Sequence, residues 1–189
     1  MVLHMIEFYK PKPTVKGSAC RFYLNEVENS FFASIIRQKS WDAKARKASF
    51  HANDPENKVI LKFSQKEICS FIDAIKRNTD FKGYHGSNQI VKFKFGPYVN
   101  KEGNQLGFSL GVTKEKPDDS TSGEFFAIGF DFPESVQLVL FFEYILLRSF
   151  EITRKKRIKD AKQRVKEAEE KAPEPEPKPD VKDDDSDIW

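Results

Sequence analysis

The sequence predicts an α+β fold: two β-β-(β)-β-α repeats whose antiparallel sheets pack on a helical core, followed by a disordered acidic C-terminal tail. Three features carry that prediction. A weak repeat at an offset of 67 aligns Leu61-Lys62-Phe63-Ser64-Gln65-Lys66-Glu67 with Ile128-Gly129-Phe130-Asp131-Phe132-Pro133-Glu134. Alternating apolar and polar residues, the period of a half-buried strand, precede both copies. Charge is divided along the chain: residues 1–166 carry 29 Lys/Arg against 19 Asp/Glu (+10), and residues 167–189 carry 3 against 10 (−7).

Residues 1–14 read as an N-terminal arm ahead of a first repeat at about 15–80. There Cys20, Phe22 and Leu24 point one way while Arg21 and Tyr23 point the other. A loop at Glu26–Asn29 turns into Ser30–Lys39, Ser40–Ala48 reads as a further loop, and Lys47–Ala52 as a short strand. In Lys58–Phe63 the inward set is Val59, Leu61 and Phe63. Ser64 with Glu67 three positions later is a capping-box pattern, and Ile68, Phe71, Ile72 and Ile75 follow at helical spacing.

The second repeat, about 87–150, repeats this order. Val91, Phe93 and Phe95 alternate with Lys92 and Lys94; a turn at Lys101–Asn104 leads to Leu106, Phe108, Leu110 and Val112; Phe126, Ile128 and Phe130 complete the sheet. Gly107 and Gly111 lie inside a strand, where glycine marks a bulge or the close approach of another backbone. Asp131 with Glu134 restates the cap, and Pro133 falls in the first turn, where its missing N–H costs nothing. The helix beyond is apolar around nearly its whole circumference from Val136 to Leu147, so more than one side must be covered, and a second copy of the chain is the expected cover. Residues 151–172, with Arg154-Lys155-Lys156-Arg157, read as a charged helical extension, and the Pro-Glu repeat ends it before the tail at 173–189.

Composition narrows the function. A basic body with an acidic tail suits a polyanion binder. Two isolated cysteines, Cys20 and Cys69, fit buried thiols in a reducing compartment better than a disulfide framework. Val136–Leu147 is too short and too charged to span a bilayer, and the N-terminus shows no secretory pattern, so a cytoplasmic protein without membrane contact is expected. His4, His51 and His85 share no ligand spacing with either cysteine, and no triad, P-loop or GxGxxG pattern is present. No metal, cofactor or catalytic activity is expected.

The candidate nucleic-acid residues come from two places. Arg21, Tyr23, Lys58, Lys62, Lys92 and Lys94 occupy the outward phase of their strands, giving a basic face with interleaved aromatics. Arg37, Lys39, Trp41, Lys44, Arg46 and Lys47, with Phe50 and His51, form the densest basic and aromatic mixture, around the Ser40–Ala48 stretch that reads as a loop. Lysines would track phosphates and aromatics stack bases at about 1–3 kcal/mol each. Lysine alternating with phenylalanine also fits any half-exposed strand, and Trp41 fits a residue tucked into the core equally well; the charge split and the tail favour binding.

The segment Asp183, Asp184, Asp185, Ser186, Asp187, Ile188 and Trp189 resembles the acidic tip of bacterial and phage single-stranded DNA-binding proteins, which closes on bulky apolar residues. The resemblance implies a docking tip for replication or recombination proteins. Leu106–Lys114, Glu124–Phe130 and the Phe141–Leu147 run resemble the Whirly-type single-stranded nucleic-acid-binding fold, to which kinetoplast guide-RNA-binding and Pur-repeat proteins are related. Over residues 15–150 that likeness implies tetramers, nucleic acid on strand edges and outer sheet faces, and no catalysis; with the apolar helix, a homo-dimer or homo-tetramer is expected. The resulting expectation is a non-sequence-specific protein of a phage or other replicating element that coats single-stranded DNA during replication, recombination and repair. RNA binding or a transcription-cofactor role on the same fold is one alternative, and a non-nucleic-acid assembly or adaptor protein is the other.

Overall fold

A computed structural model describes residues 3–86, 90–116 and 119–171. It divides into two compact units, 1–153 and 154–189. The first holds two antiparallel sheets and the helices that cover their inner faces. Sheet 1 contains β1 (Leu3–Lys10), β2 (Ser18–Asn25), β3 (Ser30–Asp42), β4 (Lys47–Phe50) and β5 (Lys58–Phe63), with β3 pairing β5 through its first half and β4 through its second. Sheet 2 is a meander of β6 (Phe81–Gly86), β7 (Ile90–Val99), β8 (Gln105–Lys116) and β9 (Asp119–Asp131). Helix α1 (Gln65–Arg77) follows sheet 1, and α2 (Phe132–Lys171) follows sheet 2. This is the α+β class the sequence predicts.

Alternation decides what is buried. Cys20, Phe22 and Leu24, Val59, Leu61 and Phe63, Phe93 and Phe95, and Phe126, Ile128 and Phe130 all face one continuous core. Phe71 of α1 is its hub, with ring centroids 4.9 Å from Phe95 and 5.1 Å from Phe63; Phe142 of α2 lies 5.2 Å from Phe22. Such edge-to-face aromatic pairs add about 0.5–1.5 kcal/mol each beyond their burial, which is how a chain of modest apolar content builds a dense core.

Both helix starts are capping boxes. The Glu67 N–H donates to Ser64 Oγ at 3.2 Å while the Glu67 carboxylate accepts from the Ser64 N–H at 2.8 Å. At α2 the Glu134 N–H donates to Asp131 Oδ1 at 2.9 Å, and the Asp131 N–H donates to Glu134 at 2.8 Å.

Several expectations are corrected. Residues 3–10 are not an arm: Ile6 and Phe8 continue the inward alternation and the segment pairs with β2 along its whole length. Ser40–Ala48 is not a loop but the tip of a hairpin, with Trp41 opposite Ala48 and an Asp42 carboxylate that accepts from the Lys44 and Ala45 N–H groups at 2.9 Å to form the turn. The second repeat begins with a fourth strand, β6, at Phe81 rather than at 87. Its inward Phe81 and His85 flank Gly83, whose missing side chain makes room for the Phe93 ring and hides the alternation from a reading of apolar residues alone. Cys20 is buried, and burial pushes its thiol pKa up, but Cys69 is exposed on α1.

Gly107 has φ +142°, and a Cβ there would lie 2.0 Å from the Phe130 carbonyl oxygen, so this strand glycine marks a close backbone approach. On α2, Leu138, Phe142, Ile145 and Leu146 are buried against the core, whereas Val136, Leu140, Tyr144 and Leu147 form an exposed stripe. The second unit, as described, is the remainder of α2 from Arg154. Between Arg154 and Lys166 it carries eight Lys/Arg against the single acid Asp160, and every side chain there is exposed. The tail at 173–189, with Asp183, Asp184, Asp185, Asp187, Ile188 and Trp189, lies outside the described residues.

Candidate nucleic-acid interface

Each sheet of the first unit has an outer face, and strand register sets which side chains meet there. On sheet 1 three cross-strand rows run Tyr9–Ala19–Ile36–Lys58, Glu7–Arg21–Ser34–Ile60 and Met5–Tyr23–Phe32–Lys62. On sheet 2 the corresponding rows run Tyr84–Lys92–Thr113–Phe125, Lys82–Lys94–Gly111–Ala127 and Gly96–Ser109–Gly129.

On the sheet 1 face an aromatic stack covers one end, a depression of about 250 Å³ bordered by Glu7, Tyr9, Arg21, Ile36 and Lys58 lies at the other, and Arg21 and Lys62 are paired with carboxylates. Tyr23 and Phe32 stack at 5.1 Å between centroids and 15° between planes, and the Lys62 ammonium sits 5.6 Å above the Phe32 ring. Arg21 pairs with Glu7 at 2.5 Å, Lys62 with Glu28 at 3.7 Å, and Lys58 donates to the Ala52 carbonyl at 3.3 Å. Partial burial raises the Tyr23 hydroxyl pKa, and the Glu7 carboxyl is held down first by the Tyr9 hydroxyl and then, against some burial, by Arg21.

The sheet 2 face is hollow. Gly96, Ser109, Gly111, Ala127 and Gly129 stand where sheet 1 has Tyr23, Phe32, Ser34, Ile60 and Lys62. The hollow is a depression of about 520 Å³ bordered by Lys82, Lys92, Lys94, Thr113 and Phe125. Lys82 lies directly opposite Lys94, a like-charge cross-strand pair that costs stability. Asp80 pairs with Lys94 at 2.8 Å and Glu115 pairs with Lys92, while Lys82 makes no ion pair among the described residues. Phe125, outward on β9, is 61% exposed.

A second depression, of about 610 Å³, shares Ser109 and Phe125 with the first and is bordered by Lys10, Lys12, Lys16, Tyr98 and Leu106. Gln38 fixes that rim: its side chain accepts from the Lys12 N–H at 2.8 Å and donates to the Lys12 carbonyl at 2.9 Å. Lys10 is engaged by Glu134 at 2.5 Å, but Lys12 and Lys16 make no ion pair among the described residues. The two depressions thus form one trough with an exposed aromatic in the middle and lysines along both borders, a combination that can stack bases and hold phosphates.

The sequence-derived candidates separate accordingly. Lys92 and Lys94 border the trough; Arg21, Tyr23, Lys58 and Lys62 lie on the other sheet. Arg37 joins the sheets rather than facing solvent: its guanidinium donates to the Phe125 carbonyl at 3.0 Å and lies 4.3 Å from the Phe126 ring centroid, beside a Ser18 hydroxyl donating to the Ala127 carbonyl at 2.7 Å. Lys39, Trp41, Lys44, Arg46 and Lys47 sit on the β3–β4 hairpin, where the four cations make no ion pair among the described residues. Phe125, Tyr98, Lys82, Lys12 and Lys16 are absent from the sequence-derived set. Phe125 had a signal: it is an aromatic in the outward phase of a strand whose inward phase is already Phe126, Ile128 and Phe130.

Among the described residues no cluster of three or more His, Cys, Asp or Glu is placed to hold a metal, and no helix is long and apolar enough to cross a membrane. No protein-family model matches the chain, and no curated protein matches it in sequence. Among solved structures it is similar in fold to Trypanosoma brucei MRP1/MRP2, with a TM-score of 0.56 and 15% identity over 81% of this chain and 98% of that one. At that identity the likeness shows a shared architecture, two sheets packed on helices.

Proposed function

We propose that this protein binds single-stranded nucleic acid without sequence specificity, coating single-stranded DNA during replication, recombination or repair. The observation that supports it most is the lysine-bordered, aromatic-centred trough on sheet 2. Most of its polar side chains are lysines and small hydroxyls, suited to phosphates and base faces rather than to a base-edge code. The β3–β4 hairpin, with Lys39, Lys44, Arg46 and Lys47 around Trp41, adds a second set of cations in the same unit. The stretch Arg154–Lys166 of α2, with eight Lys/Arg against one acid, is cationic as well.

Two further parts of the reading come from other features. The stripe Val136, Leu140, Tyr144 and Leu147 is a surface that a second copy would cover, giving a homo-oligomer. The segment Asp183–Trp189, read from sequence alone, recruits replication or recombination proteins and competes with nucleic acid for the basic surface when that surface is empty.

Oligo-dT, the matching RNA and a duplex of equal length, titrated at low salt against the full chain and a chain lacking 183–189, test this reading. The expected result is binding of the single strands, unchanged or tighter after deletion, with the duplex weaker. Absence of binding by the shortened chain at low salt would overturn it; a clear preference for RNA would move the role from DNA coating to RNA binding.

A further inference from the structure

β1-β2-β3-β5 and β6-β7-β8-β9 pair in the same order with the same phase facing the core, so their outer faces can be compared position by position. The cross-strand pair Glu7–Arg21 of sheet 1 corresponds to Lys82–Lys94 of sheet 2, an ion pair against a repulsive pair. Tyr23–Phe32, stacked on sheet 1, corresponds to Gly96–Ser109, where no aromatic pair covers sheet 2 and the Asp80 carboxylate lies over Gly96. Lys58, folded onto the Ala52 carbonyl, corresponds to the exposed Phe125. The first two differences remove negative charge and bulk from sheet 2, and the third puts an exposed aromatic where sheet 1 has a lysine. Opposite charges and filled aromatic pairs stabilise a sheet and like charges opposite one another do not, so the sheet 1 residues favour folding. The sheet 2 residues favour a bound anion and a stacked base instead.

We infer that the two halves have diverged in use: sheet 2 is the base-stacking face, with Phe125 as its stacking platform, whereas sheet 1, whose Tyr23 and Phe32 rings stack on each other, is a structural face that bases do not contact. This rests on the single-stranded nucleic-acid reading above and assigns it to one side of the molecule. The glycine and serine floor lets a base lie flat against the sheet beside the Phe125 ring; a Cβ on Gly111 would already press that ring at 3.2 Å. Lys82 and the Lys12–Lys16 rim lie at opposite borders of the trough. A strand crossing Phe125 therefore meets ammoniums before and after the stacked base. From β6 to β9 the face spans three strand spacings, roughly 14 Å, enough for a short run of nucleotides.

The test uses the full chain and oligo-dT. Phe125→Leu keeps the side chain apolar and removes the aromatic face; because Phe125 is largely exposed, the core is untouched. It is expected to bind roughly 5- to 150-fold more weakly, the equivalent of about 1–3 kcal/mol of base stacking. Phe125→Trp is expected to bind as tightly as the parent and to show oligo-dependent quenching beyond that of the parent's own tryptophans. On sheet 1, Ile60→Ala with Lys62→Ala is expected to change affinity less than threefold. If the parent binds and Phe125→Leu binds equally well, or if the sheet 1 variant loses as much, the assignment to sheet 2 is overturned while the binding reading stands. If the parent does not bind at all, both fall.

Discussion

At Ser64 the chain leaves β5 and enters α1 through a reciprocal pair that a third residue joins. Glu67 accepts from the Ser64 N–H at 2.8 Å and contacts His85 Nε2 of β6 at 2.7 Å, so a helix cap also ties down the edge strand bearing Lys82. Burial raises the Glu67 carboxyl pKa more than any single contact lowers it, but the Ser64 N–H, the His85 ring and the Ser64 hydroxyl together hold it below its ordinary value. A depressed carboxyl contributes stability that is fully present above its unfolded value, about 4.3, and lost as pH falls through the lower folded value. Urea denaturation of Glu67→Gln between pH 3 and 6 should therefore show lower stability than the parent at pH 6 and a smaller loss on acidification; an unchanged pH slope would remove Glu67 from the acid sensitivity. The Ser64–Glu67 spacing announces this cap in the sequence, but His85 does not announce its part. Arg37 shows the same limit: a cation between apolar strands reads as a ligand contact, and only the packing of β9 against β3 turns it inward.

Among the elements, β1 reads as an arm, whereas β2, β5, β7, β8, β9 and both helix starts are legible because alternation and capping follow from local geometry. β6 is not, because the inward phase of Phe81–Gly86 includes a glycine and a histidine, which no apolar count detects. The β3–β4 hairpin is likewise hidden, since Ser40 and Ser49 pair through their hydroxyls at 2.6 Å and no apolar period marks the turn. α2 shows the opposite effect. Its nearly all-round apolar run already implies two covers, and one chain supplies only one: Leu138 and Phe142 are fully buried, while Leu140 and Leu147 remain 61% and 65% exposed. The double substitution Leu140→Glu with Leu147→Glu should leave the monomer folded, because neither residue enters the core. Sedimentation should then show a smaller species than the parent. If parent and variant are both monomeric, the stripe is not a self-association surface.

For the molecule as a whole, the charge split read from composition becomes a spatial arrangement only in part. Many of the cations that alternation picks out are paired with carboxylates, and the hollow face, bordered by Lys12, Lys16 and Lys82 with no ion pair among the described residues, lies on one sheet of two. The sequence has the repeat but not its divergence, because Tyr23 opposite Phe32 and Gly96 opposite Ser109 become comparable only once register is known. The central claim is that lysines around this trough hold the phosphates of a single strand, and the salt dependence of oligo-dT affinity tests it most directly. The logarithm of the binding constant should fall linearly with the logarithm of salt concentration, with a slope of about −0.7 for each phosphate engaged, hence about −2 or steeper if three or more are held. Replacing Lys82 with Met should flatten that slope by about 0.7. A slope near zero for the parent chain, with binding still present, would contradict the account.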